Sequence, residues 1–484
     1  MNHVKEILRL CALALLVLGA ADRVLAQDEQ QPQQPSPQPS DSEPKPAARS
    51  TPLPAIEDQS DYNPNQGNQM QPDDTPLTGM LSPTLGTLQV THSYWAAGLQ
   101  YAASVQANGY GNSGWFAYNY VAGNLSLLQA WSHAQFAVNY SGGAYFETNA
   151  SNGSYQGVSL SQNFDYNRWK IQIQDSFSYT PQSGFGFGGG TNLGTPGVGG
   201  SIGPTLPGVN NGSLANQSVY GGLGPQYFNV GILQASYSIS RRSSITVSGA
   251  YGLLHFIDPG YIDSNSLYAG LGYSYKLSPK DSIGVVYQFG NYQFPGDPQA
   301  YANHIASLAY GRKVTGRLAL SLYGGPQYTS FRIPVGTTSD KLGGYASASL
   351  SYALERGMLS VSYLHGLTGG GGLLTGSISD QVYFSADRRL TRVWDGHVNF
   401  GYSHNATVVS SSTTGNSNYS SWFVGGGVSR PFGRYVTFGA AYTASISTFN
   451  LSGCPGTTCG PSSDSLYQTI TASFQWHTRP FILP

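Results

Sequence analysis

Charge is the first thing in short supply. Lys, Arg, Asp and Glu make up 10 % of the 484 residues, where a soluble domain has roughly 25 %. A charge-solvated globular surface is therefore excluded. Long apolar runs are missing as well: beyond the first 26 residues no window of roughly 18 apolar residues occurs, which excludes helical membrane spans. Cysteine is scarce, three in all, and no cysteine–histidine spacing suits zinc. The glycine runs GFGFGG (184–189) and Gly369–Gly372 lack the strand-to-helix setting of a phosphate site. No basic-aromatic patch marks a nucleic-acid binder. His365, His397 and His404 form no His–Ser–carboxylate order, so no enzyme, metal or cofactor chemistry is expected.

What the chain does have is glycine (62) and tyrosine (34), at a mean hydropathy of −0.22. Their arrangement is informative. Between Tyr227 and Glu355, segments such as SNSLYAGLGYSYKLS and DSIGVVYQFGNYQF place an apolar residue at every second position. Leu267, Ala269, Leu271, Tyr273, Tyr275 and Leu277 share one face; Tyr268, Gly270, Gly272, Ser274 and Lys276 share the other. Period-2 alternation over about 13–16 residues exceeds the usual length of a soluble strand. It begins near Thr91 and recurs to the C-terminus, giving about 18 strands (16–18), an even number as a closed meander requires.

Connections fall into two alternating classes. Asn167, Arg241-Arg242, Pro279-Lys280, Gly316, Arg356 and Pro431-Phe432-Gly433 are tight, whereas NGYGNSGWFAYNY, 181–224 and SGCPGTTCGPSSD are long. Short turns on one rim and long loops on the other predict an all-β transmembrane antiparallel up-and-down barrel. Lys and Arg agree: after His92, only Arg332 and Lys341 lie away from the tight-turn rim. Asp175 is discordant, because it shares the apolar phase of Trp169, Ile171, Ile173 and Phe177; a bulge, a register shift or a protomer contact would each account for it.

The N-terminus divides in two. A basic start, the apolar run 10–21 and Val24-Leu25-Ala26 read as a secretory signal over 1–26. Residues 27–85 are Pro/Gln/Ser-rich and expected to be disordered in the periplasm; from Gln27 to His92, two cations face nine carboxylates. This acidic stretch is either a solvated spacer or a docking segment for a periplasmic partner. The barrel occupies 86–484. In an oxidising compartment Cys454 and Cys459 are expected to form a disulfide in the last long loop.

Small neutral side chains dominate the inward phase, for example Thr246, Ser248, Ala250 and Gly252, or Ser347, Ser349 and Ser351. Tyr268, Tyr323, Tyr345, Tyr383 and Tyr467 are inward candidates for stacking on a sugar or for filling space, while Lys276, Asp387, Arg389 and Asp395 supply a few inward charges near the basic rim. Without a ladder of one sign, strong ion selection is not expected. A barrel this wide holds an aqueous channel, so diffusion of small neutral solutes, saccharides among them, is the leading reading. A polysaccharide-export barrel and a surface adhesin are the alternatives.

Over roughly Gly86–Pro484 the architecture resembles the Gram-negative outer-membrane porin-like barrels. The resemblance implies a lipid bilayer with lipopolysaccharide around the barrel, insertion machinery that reads a terminal aromatic strand (Phe474, Trp476), and a homotrimer. It also implies a pore-constricting long loop, for which charge-free 183–224 is the candidate.

Overall fold

A computed structural model of the chain describes residues 93–108, 115–147, 152–180, 225–259, 261–296, 299–332, 338–368, 376–408, 416–452, 463–479 and 481–483. The signal segment, the acidic stretch, the loop 181–224, Cys454 and Cys459 lie outside them.

All regular structure among the described residues is β. The first group of strands is β1 (Tyr94–Asn108), β2 (Trp115–Ala130), β3 (Ala134–Glu147), β4 (Gly153–Tyr166), β5 (Trp169–Thr180) and β6 (Gln226–Ser238). Next come β7 (Ser243–Phe256), β8 (Ser264–Lys276), β9 (Asp281–Gln293), β10 (Ala300–Lys313), β11 (Leu318–Arg332) and β12 (Thr338–Leu354). Then follow β13 (Gly357–Thr368), β14 (Ser377–Arg389), β15 (Asp395–Thr407), β16 (Asn416–Phe432), β17 (Val436–Ser452) and β18 (Ser463–His477), with a two-residue β19 (Phe481–Ile482). Each strand pairs antiparallel with its sequence neighbours, and β1 pairs with both β2 and β18, so the meander closes.

Two expected connections differ. Trp115–Tyr120 extends β2 instead of forming loop, since Ala107↔Trp115 and Ser104↔Tyr118 continue the β1 ladder. The β16–β17 turn falls two residues later, at Gly433-Arg434-Tyr435, where Gly433 takes φ +70°.

The two faces are inverted relative to a soluble protein. Leu271, Val285 and Phe474 are about half exposed on the outer face, while inward Val286, Ser104 and Thr471 are almost fully buried. An apolar exterior over a hydrogen-bonded wall is stable only in hydrocarbon, where every backbone donor must be met within the protein. Trp131, Trp169 and Trp476 sit exposed at the tight-turn ends of their strands, where amphipathic rings suit the interface. Arg430 lies 5.6 Å over Trp394 and 5.0 Å over Phe432, and Arg479 lies 5.7 Å over Tyr435 on the same rim.

Four tight turns use one device. Ser240 Oγ accepts from the N–H of Arg242 and Ser243, and Ser278 Oγ from Lys280 and Asp281. Thr315 Oγ1 accepts from Arg317 and Leu318, and Thr391 Oγ1 from Val393 and Trp394. A hydroxyl at the first turn position thus meets two donors that the ladder leaves over. The two-residue turn after β4 instead places Asn167 at φ +54°, a conformation asparagine tolerates and hairpin turns favour.

Asp175 is neither a bulge nor a register shift, because Leu160↔Asp175 and Asp175↔Gly231 continue unbroken ladders. Instead Asn229 Nδ2 donates to both of its carboxylate oxygens, at 2.9 and 3.3 Å, from the same outer face. The pair makes two predictions for urea unfolding in lipid vesicles. Asn229→Leu, which strands the carboxylate, destabilises by about 2 kcal/mol. The double change Asp175→Leu/Asn229→Leu, which restores an apolar belt, is at least as stable as wild type.

Candidate pore lining

The inner wall is best described as rows that run across the strands. One row reads Ile232, Ala250, Tyr268, Gly290, Asn303 and Thr329; the next towards the tight turns reads Gln234, Ser248, Gly270, Gln288, Ile305 and Gln327. No member of either row is charged. The row nearer the long loops is aromatic: Tyr292, Tyr301 and Phe331 are consecutive cross-strand partners on β9, β10 and β11. Hydroxyl pairs knit the wall elsewhere, with Ser104–Thr471 at 2.8 Å across the closing seam and Ser360–Ser385 at 2.6 Å.

Burial along the barrel axis is uneven. In the long-loop half, inward Ala102, Tyr120, Ser266, Ser379 and Asn405 are at most 2 % exposed. In the tight-turn half, inward Ser347, Ser349, Ser351 and Thr437 are partly exposed. Sequence reading anticipated the small neutral positions but not the inward Phe228, Val230, Ile232, Leu254 and Phe256, which form a buried apolar cluster with Ala250 and Tyr268.

The rings of Tyr268, Tyr292 and Tyr345 lie along the wall. A Cβ at Gly270 would meet Tyr268 Oη at 3.2 Å, one at Gly290 would meet the Tyr292 ring at 2.9 Å, and one at Gly366 would meet the Tyr345 ring at 2.9 Å. Tyr323 packs on Val286 and Ala309, and Tyr383 Oη donates to Asn399 at 3.3 Å. By register Tyr467 stands between Asn108 and Ser445. Of the inward charges, three come together at the tight-turn rim of β14–β15. Arg389 Nε lies 3.5 Å from Asp395 Oδ1, and Asp387 faces His397 across the ladder. Lys276 stands apart at the end of β8.

The most consequential feature is a seam between β12 and β13. Their pairing stops at Ala346↔His365, while β12 continues beside β11 as far as Arg332↔Thr338. Above the break, the ends of β13–β15 lean over the inner face of β9–β11. Leu367 joins the buried cluster of Tyr292, Phe294, Tyr301 and Phe331, with Ile378 and Val408 packed against it. Gly376, at φ +127°, brings its backbone against the Tyr301 ring, where a Cβ would come within 2.9 Å. Oriented to satisfy both ends, the Gln327 amide donates to Gly344 O at 3.3 Å and accepts from the Leu367 N–H at 3.2 Å and from Asn303 Nδ2 at 3.2 Å.

Sequence reading gave none of Gln327, Phe331 or Leu367 a role. The available signals were the Gly343-Gly344 pair opposite Gln327 and the aromatic ends of β9, β10 and β11.

A closed antiparallel barrel of 18 long strands with an apolar exterior defines an outer-membrane β-barrel of porin-like architecture. No protein-family model matches the chain, and no curated protein matches it. Solved structures with some similarity include Pseudomonas aeruginosa OpdQ, at 11 % identity, TM-score 0.40, and coverage of 80 % of this chain and 99 % of that one. Pseudomonas aeruginosa OccK1 (OpdK) gives 10 %, 0.41, and 79 % and 99 %. Pseudomonas aeruginosa OccK2 (OpdF) in complex with glucuronate gives 12 %, 0.43, and 79 % and 98 %.

Phe331 is a buried member of the cluster that joins the two parts of the wall. Phe331→Ala is expected to destabilise the barrel by about 3–5 kcal/mol, and Phe331→Leu by clearly less, in urea titrations on vesicle-inserted protein.

Proposed function

We propose that the chain is an outer-membrane channel through which small, mostly neutral hydrophilic solutes diffuse. The observation that carries this reading is an uncharged stretch of the inner wall: two successive rows across β6–β11 supply only amide, hydroxyl and apolar groups. Such rows hold no strong well for an ion, and the partly exposed hydroxyls of Ser347, Ser349, Ser351 and Thr437 in the tight-turn half offer exchangeable hydrogen bonds to a hydrated solute. The paired charges Arg389–Asp395 at the tight-turn rim largely cancel. Saccharides suit the tight-turn half, since their hydroxyls match its exposed serine and threonine hydroxyls.

Planar-bilayer recording on the purified protein tests the proposal. The expected result is a stable conductance with similar permeability to potassium and chloride. The double change Tyr301→Ala/Phe331→Ala, which thins the aromatic row, is expected to raise it. Absence of conductance in both proteins would rule the channel out, and strong preference for one ion would rule out a neutral-solute path.

A further inference from the structure

We infer that the β12–β13 seam is a gate, and that Gln327 is its latch. This rests on the channel reading for its consequence but on geometry for its existence. Extending the register beyond Ala346↔His365 pairs Tyr345 with Gly366 and Gly344 with Leu367. The Leu367 N–H and the Gly344 carbonyl would then belong to one ladder. In the structure the Gln327 amide bridges these two groups, donating to one and accepting from the other. A side chain therefore stands in for the strand-to-strand bond, and both polar groups are met while the strands are parted.

The parted arrangement has a second, independent hold. Leu367 follows Tyr363 and His365 along β13 with the same parity, and Tyr363 is exposed on the outer face. Leu367 should therefore point outward, yet it is buried among Tyr301 and Phe331, which point inward. Ile378, its partner on β14, follows it. The outer face of the β13–β15 tip thus covers the inner face of β10–β11, overlapping as in a scroll. Zipping β13 back onto β12 would exchange the Gln327 bridge for backbone bonds and return Leu367 and Ile378 to lipid. It would also uncover the aromatic row to the lumen. In both arrangements the Leu367 N–H and the Gly344 carbonyl have partners and Leu367 and Ile378 have apolar surroundings, while the uncovered aromatic row makes the zipped form the minor state of a two-state element. Gly343 and Gly344 place no side chain between Gln327 and the seam.

The experiment locks and releases the seam. In a background lacking the native cysteines, Phe331→Cys/Leu367→Cys is oxidised in liposomes. A disulfide is expected to form, to lower conductance relative to the same protein after reduction, and to do so reversibly. Gln327→Leu, with the native cysteines kept, is expected to shift the equilibrium towards the zipped form by about tenfold, the worth of the lost bridge. Hydrogen exchange reads this directly, as slower exchange at Leu367 and Gly344, whether or not the protein conducts. Failure of the disulfide to form, equal conductance of the oxidised and reduced pair, or unchanged exchange in the Gln327 variant would each overturn the gate. Loss of all conductance with the exchange shift intact would overturn the channel reading and leave the two-state seam standing.

Discussion

Every part of this structure answers to one constraint: within hydrocarbon, a backbone N–H or C=O without a partner costs several kcal/mol. Closure of β1 on β18 follows from it, since an open sheet would leave two unpaired edges in lipid. The C-terminal residues show how far the constraint reaches. After β18 ends, the Thr478 N–H donates to Ala97 O and its hydroxyl accepts from the Ala97 N–H. Phe481 and Ile482 then pair with Trp95 and Tyr94, and the Leu483 N–H donates to Ser93 O. The first strand is covered to its start, although the partner strand is two residues long. The turn hydroxyls at Ser240, Ser278, Thr315 and Thr391 apply the same rule at the rim.

The seam matters because it is where the rule is met by other means. A wall that opened between β12 and β13 without compensation would leave donors and acceptors bare at membrane depth. Gln327 reaches across two glycine positions to meet one donor and one acceptor, and Asn303 braces it from β10. Apolar contacts then do the rest, because Leu367 and Ile378 exchange lipid for Tyr301 and Phe331 with little change in polarity. A lipid-facing side chain is free to change partner in this way since hydrocarbon and aromatic surfaces solvate it about equally. The unbalanced part of the move is the aromatic row, which loses its cover when the tip withdraws.

Much of the fold was legible in the sequence. Period 2 is a short-range signal, and where Leu267 to Leu277 alternate with Tyr268 to Lys276 nothing distant competes with it. Strand order and closure followed from the alternation of tight and long connections. What could not be read was any feature in which strands depart from parallel alignment. The parity of Leu367 is outward by counting and remains outward along β13; only the tilt of the tip brings that face to the interior. Asp175 shows the complementary limit. Its phase was correct, but its partner Asn229 lies 54 residues away across the loop 181–224, and only the register between β5 and β6 joins them.

The tyrosines revise the picture of the lumen most. Projecting straight inward, residues such as Tyr268, Tyr292 and Tyr345 would meet solute as stacking platforms. Each instead lies beside a glycine, at 270, 290 and 366, whose missing side chain leaves a recess for the ring. Glycine in a strand is ordinarily a weakness; here it sets how far the aromatic rings intrude. Gly290 and Tyr268 are cross-strand partners in one row, and Gly270 and Gln288 are partners in the next. Ring and recess thus alternate between neighbouring strands. Which inward positions are glycine therefore sets where the rings along β8–β9 can lie, and a Cβ at Gly290 would press on the Tyr292 ring at 2.9 Å.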